Sequence, residues 1–128
     1  MTKKILFSIL ILLVYSNLFA NNFYCFETHH KDGALTQINE LLFTKESRGS
    51  YIVTFPEYPN DAPEYFTIQN ENERFVFLNM IGSIDNLAYS FNIIIDKVDL
   101  TFGTASMYSP FDINTMEISY GYCRKLLD

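Results

Sequence analysis

The sequence contains no tryptophan, and only two cysteines, two histidines and five glycines occur in 128 residues. Two cysteines cannot build a disulfide-dense miniprotein or a four-thiolate zinc centre. The glycines form no phosphate-cradling loop, and neither a nucleophile elbow nor a metalloprotease helix motif is present. Positive charge is scarce. Nine Lys and Arg stand against fifteen Asp and Glu, a formal charge of −6. Nucleic acid needs a clustered basic surface for its phosphates, so that partner class is excluded as an expectation. No repeat with a period of 20–50 residues occurs, and the length suits one domain. Because 48% of the residues are hydrophobic, intrinsic disorder is not expected.

Long apolar runs are absent, with one exception at the start. Lys3 and Lys4 precede an apolar stretch from Ile5 to Tyr15, interrupted only by Ser8, and Ser16 to Ala20 follow. This is the three-part layout of a secretory signal peptide, residues 1–20, cleaved after Ala20. The sixteen residues from Ile5 to Ala20 fall short of the roughly 18–20 that a membrane-spanning helix needs. Asn22, Phe23 and Tyr24 precede Cys25, whereas lipid attachment needs small residues there. The expectation is an exported single domain, residues 21–128, periplasmic or secreted. Abundant Ile, Asn, Phe and Tyr with little Ala suit an AT-rich bacterial genome, and a bacterial envelope location is expected. Loss of the two leader lysines leaves 7 Lys and Arg against 15 Asp and Glu, so the acidic charge rises to −8.

Export gives the cysteines a role. Cys25 and Cys123 lie near the two ends of residues 21–128, and an oxidising compartment lets them form a disulfide. A reactive thiol pair would instead be closely spaced, as in Cys-x-x-Cys. The bridge requires the first and last segments to run side by side. Both read as strands: Phe23 to Thr28 is rich in aromatics, and Met116 to Cys123 alternates with Met116, Ile118, Tyr120 and Tyr122 on one face.

The middle reads as hairpins. Strands are expected over Gln37–Thr44, Ser50–Phe55, Tyr65–Gln69, Arg74–Met80, Leu87–Ile95 and Val98–Thr104. The turns are 45–50, the polar Asn70-Glu71-Asn72-Glu73, a tight Asp96-Lys97 and the break Ser109-Pro110-Phe111-Asp112. Leu35 to Thr44 fits a helical stripe as well as a strand, and strand is favoured. The fold class is therefore all-β: a small antiparallel barrel or sandwich of seven to eight short strands with meander connections. Most of these segments have five to eight residues, and a transmembrane barrel needs about 9–11 per strand. No membrane insertion is expected after the signal is cleaved.

Three of the four prolines fall in Phe55-Pro56-Glu57-Tyr58-Pro59-Asn60-Asp61-Ala62-Pro63-Glu64-Tyr65-Phe66, among aromatics and acids. Proline stiffens such a loop and lowers the entropy cost of docking. Glu57, Tyr58 and Tyr65 are the candidate partner-binding residues, and a basic protein is the partner that fits. The competing account has these aromatics packing back over the core. His29 and His30, flanked by Glu27 and Asp32, are weak metal candidates, because neighbours on a strand point to opposite faces. No cofactor is implied. No convergent acid–base pair or interpretable Ser–His relation is visible, so catalysis is not expected.

Of the 12 Phe and 9 Tyr, eighteen lie after residue 20, enough to fill a core or to line a small apolar pocket. In so short a chain a filled core is favoured. The general plan, a short exported β-barrel with a terminal disulfide, is similar to that of small periplasmic lysozyme inhibitors. The likeness is architectural; no inhibitory-loop signature occurs, and no residue role is carried over. The functional expectation is a non-enzymatic interaction or inhibitor-like module. The alternatives are a carrier of a small apolar ligand and a structural envelope component.

Overall fold

The computed structural model describes residues 22–46 and 49–126. The leader 1–20 lies outside the described residues, among which no helix is long and apolar enough to cross a membrane. Eight strands follow in order: β1 Asn22–His30, β2 Gly33–Lys45, β3 Ser50–Thr54, β4 Glu64–Glu71, β5 Phe75–Ile84, β6 Leu87–Asp96, β7 Thr101–Tyr108 and β8 Met116–Leu126. Each pairs antiparallel with the next, and β8 returns to β1, closing a meander barrel.

The seam between β1 and β8 is where the chain ends meet. Cys25 and Cys123 are register partners there, bonded as a disulfide with Cα atoms 4.0 Å apart. Both are buried in the barrel interior. Closing a loop of 98 residues removes conformational freedom from the unfolded chain, by about 4–5 kcal/mol at most on chain-entropy grounds. Gly121 lies one step along the same seam. A Cβ at this residue would stand 1.9 Å from the Phe26 carbonyl oxygen, so only glycine lets the two strands approach.

Alternation sets the interior. Phe23, Phe43, Tyr51, Val53, Phe66, Val76, Leu78, Ile93, Ile95 and Phe102 point inward and form one apolar core with Leu41 and the disulfide. The outer faces interleave polar Thr67, Asn79 and Asn92 with Tyr65, Ile81, Ile94 and Tyr120. Asn79 and Asn92, opposite one another on β5 and β6, hydrogen-bond at 2.8 Å. Membrane barrels carry the reverse distribution, apolar outward and polar inward.

Several boundaries differ from the sequence reading. The ambiguous 35–44 segment is strand, within a β2 of 13 residues. β5 and β6 have ten residues each and β8 eleven, longer than expected, while β3 has five and β4 and β7 eight. β5 runs on to Ile84 because Asp85 and Asn86 adopt positive φ of 51° and 67°, a two-residue hairpin turn that Asp and Asn tolerate. The turn after β6 is longer than the expected Asp96-Lys97. Asp96 accepts the amides of Val98 and Asp99, Leu100 turns left-handed, and β7 starts at Thr101. Asn70 and Glu71 belong to β4; the turn proper is built on Asn72, whose side chain accepts the amides of Arg74 and Phe75.

Candidate functional site: an acidic barrel mouth

The barrel has two unlike ends. One carries the β1–β2, β3–β4, β5–β6 and β7–β8 loops, and is called here the upper mouth. The other carries the remaining three loops together with both chain ends of the described domain. Among the described residues the upper half carries Glu27, Asp32, Glu40, Glu57, Asp61, Glu64, Asp85, Asp112 and Glu117, against a single Lys or Arg, Lys31. Lys31 is turned to the backbone, donating to the Met116 carbonyl. Among the described residues no Lys or Arg pairs with an upper carboxylate. The lower half is balanced, with Glu46, Glu71, Glu73, Asp96 and Asp99 beside Lys45, Arg74, Lys97, Arg124 and Lys125. Arg74 pairs there with Asp96 and Asp99, and Glu71 with Lys45 and Lys97. The acidic excess of the domain therefore sits at one end.

The proline-rich loop, 55–63, folds over this mouth through two consecutive turns. Tyr58 donates its amide to the Phe55 carbonyl at 2.9 Å, and Asp61 donates to that of Tyr58 at 3.0 Å. Glu57 fastens the loop to β2. One carboxylate oxygen accepts the Glu40 amide at 3.0 Å, and the other accepts from Gln37 Nε2 at 3.4 Å. Beneath the loop opens a cup of about 360 Å³ lined by Glu27, Asn39, Glu40, Leu41, Phe55, Tyr58, Asp61 and Glu64. Its walls combine four carboxylates with two aromatic rings. Partial burial pushes the Glu64 carboxyl above its ordinary value. On the outer side, Tyr24 donates its hydroxyl to Glu40, which raises the phenol pKa.

A smaller recess of about 90 Å³ adjoins the cup across Glu27, with His30, Phe91, Thr104, Ser106, Glu117, Ile118 and Ser119 on its walls. A bulge after Glu27 makes this recess polar. It turns His30 inward, opposite Ser119, and His29 outward, where its ring stacks on Tyr120 at 4.7 Å. The two histidines therefore lie on opposite faces and share no site. His30 lies 3.7 Å from Asp32, while the Ser119 hydroxyl is shared with Thr104. An activated serine needs its hydroxyl on the imidazole; here that hydroxyl is engaged elsewhere.

The three candidate docking residues from the sequence are thus separated. Tyr58 lines the cup and is 52% exposed. Glu57 is the buckle of the loop. Tyr65 is 57% exposed on the outer face of β4, opposite Ile52, and does not reach the cup. Glu27, Asn39 and Glu64 were missed. Their signal was present as polar residues in phase with buried ones, Glu27 with Cys25 and Glu64 with Phe66. Such positions near a strand end face the interior at its open mouth. In comparisons with protein-family models, curated proteins and solved structures, nothing matches the chain.

Proposed function

We propose that this chain is an exported, non-enzymatic binding domain that docks a basic protein on its acidic upper mouth. The segregation of charge supports this most directly: among the described residues the carboxylates at one end have no Lys or Arg partner, whereas the charges at the other are paired. Such a field steers a cationic partner and orients it before contact. Tyr58 and Phe55 supply amphipathic and apolar contact beside the carboxylates, on a loop already fixed by Glu57. The disulfide and the leader are compatible with export. An inward apolar face and polar outer positions support a domain that works in water.

Binding to a basic probe protein, lysozyme, measured by calorimetry at low and high salt tests the reading. Affinity falls with ionic strength and drops in Tyr58→Ala and Glu64→Gln, while Glu73→Gln at the lower end leaves it unchanged. Equal affinity for all four proteins contradicts it. Export is checked by intact mass: the recovered protein lacks residues 1–20 and two hydrogens.

A second reading rests on the cup itself. With carboxylates around aromatic rings, it suits a small organic cation better than the apolar ligand suggested by composition. Salt-sensitive binding of a free amine without binding of basic protein favours that reading.

A further inference from the structure

The ladder on one side of β5 stops short. Asn79 is the last residue of β5 with a register partner on β4, Thr67, whereas pairing with β6 continues unbroken to Ile84. Met80 to Ile84 therefore rise as an edge strand backed by β6 alone. Two hydrogen bonds fix the direction of the backbone groups. The Arg74 carbonyl accepts from Lys97, on the β6 side, and the Phe75 carbonyl accepts from Asn72, on the β4 side. Peptide groups alternate along an antiparallel strand, so even residues of β5 face β6 and odd ones face β4. The same phase follows from the other end, where Ile84 and Leu87 close the two-residue turn as a hydrogen-bonded pair. Ile81 and Ser83 thus aim their N–H and C=O groups away from β6, with no strand partner there among the described residues.

Nothing blunts this edge. Met80-Ile81-Gly82-Ser83-Ile84 contains no charge and no proline, and its register with β6 has no bulge. Those are the usual guards of an exposed edge. Ile81 is 72% exposed and Ile84 60%. The proline-rich loop leans the other way, fastened to β2 through Glu57, and the cup beneath it has no wall from β5. Carrying the Thr67–Asn79 register onward sets Tyr65 level with Ile81, both exposed on the outer face. It sets Glu64, which lines the cup, level with Gly82. Carboxylates surround the edge: Glu64 beside it, Asp61 in the loop before β4 and Asp85 at the hairpin tip. This charge suits a basic occupant and not a second copy of the same acidic domain.

We propose that β5 takes up an extended segment of a basic partner, which adds antiparallel to the edge at Ile81 and Ser83. Antiparallel addition matches both existing ladders of β5. The segment alternates in character. Its apolar side chains lie outward against Ile81 and Tyr65, and its lysine or arginine side chains turn inward toward Glu64 and Asp61. Backbone pairing attaches the segment, and alternate side chains select it. Opposed residues share a face, so the outward, apolar residues make the hydrogen bonds to Ile81 and Ser83. The inference rests on the basic-protein reading for the charge of the partner and adds how that partner is held.

The test is amide hydrogen exchange of the oxidised domain with a short blocked peptide of alternating lysine and valine. Saturating peptide slows exchange at the Ile81 and Ser83 amides. N-methylation of its valines removes the donors that face the edge and weakens binding by more than about tenfold. N-methylation of its lysines, with the same charge and bulk, changes affinity by less than about threefold. Ser83→Pro removes one edge amide, leaves the β6 ladder whole and weakens binding by about threefold to tenfold. Tyr58→Ala keeps the peptide-induced protection, even where lysozyme docking is lost. Peptide that leaves the Ile81 and Ser83 amides unprotected overturns the proposal, as does equal affinity for the valine-methylated form. Protection that grows with protein concentration alone, the mark of a second copy on the edge, overturns it as well. In each of these cases lysozyme affinity in Tyr58→Ala and Glu64→Gln still decides the acidic mouth separately.

Discussion

Glu57, in the proline-rich loop, accepts the backbone amide of Glu40 on β2 at 3.0 Å. A residue that composition marks as a docking contact therefore acts inward, holding the loop against the barrel, while its neighbour Tyr58 faces the cup. Glu57→Ala frees a partly buried amide and costs about 1 kcal/mol. Hydrogen exchange checks this directly: the Glu40 amide loses protection in Glu57→Ala and keeps it in Tyr58→Ala.

The disulfide joins register partners across the only seam at which the meander closes on itself. Reduction, or the double substitution of Cys25 and Cys123 by Ser, is expected to cost about 2–5 kcal/mol. Urea denaturation of oxidised and reduced protein reads the difference as a fall in midpoint. Reduced protein with an unchanged midpoint contradicts the role given to the bridge.

Gly121 tests how close that seam is. Gly121→Ala sets a methyl group against the Phe26 carbonyl and should destabilise by more than about 2 kcal/mol, because backbone must move. Gly103→Ala is the control. Its nearest neighbour would be 3.9 Å away, and its change in stability stays within about 1 kcal/mol. Melting temperatures of the two variants separate the cases.

Glu64 gives a pH dependence whose sign is fixed by its surroundings. Its folded pKa lies above the ordinary 4.5, through burial, so the folded state holds the proton more tightly than the unfolded chain. The stability contributed by the protonated group is present below the unfolded pKa and is lost as pH rises through the folded one. Glu64→Gln, which stays neutral, therefore gains stability relative to the parent between about pH 4 and pH 7. A docked cation acts oppositely, favouring the ionised carboxylate, so affinity for a basic probe falls as pH drops through this range. Denaturation and binding measured at both pH values test the two signs.

Much of the barrel was legible because inward positions alternate without interruption over Phe23–Cys25, Tyr51–Val53 and Ile93–Ile95, and because two cysteines alone leave only one pairing within the chain. What escaped was set by tertiary detail. The Thr28 bulge, which makes His30 rather than His29 face inward, leaves no mark in composition. Lys97 looked like a turn residue, yet the longer turn built by Asp96 and Leu100 leaves it nearly out of solvent, facing Glu71. The acidic cup was only half visible: Tyr58 and its loop stood out, whereas Glu27 and Glu64 enter through strand phase alone.

The most direct test of the acidic mouth is to map, by amide NMR, where a basic probe protein touches the oxidised domain at low salt. The account predicts shifts concentrated in the 55–63 loop and at Glu27, Glu40 and Glu64, fading as salt is raised. Shifts centred on the 72–74 and 97–100 turns, or an unperturbed spectrum, would contradict it.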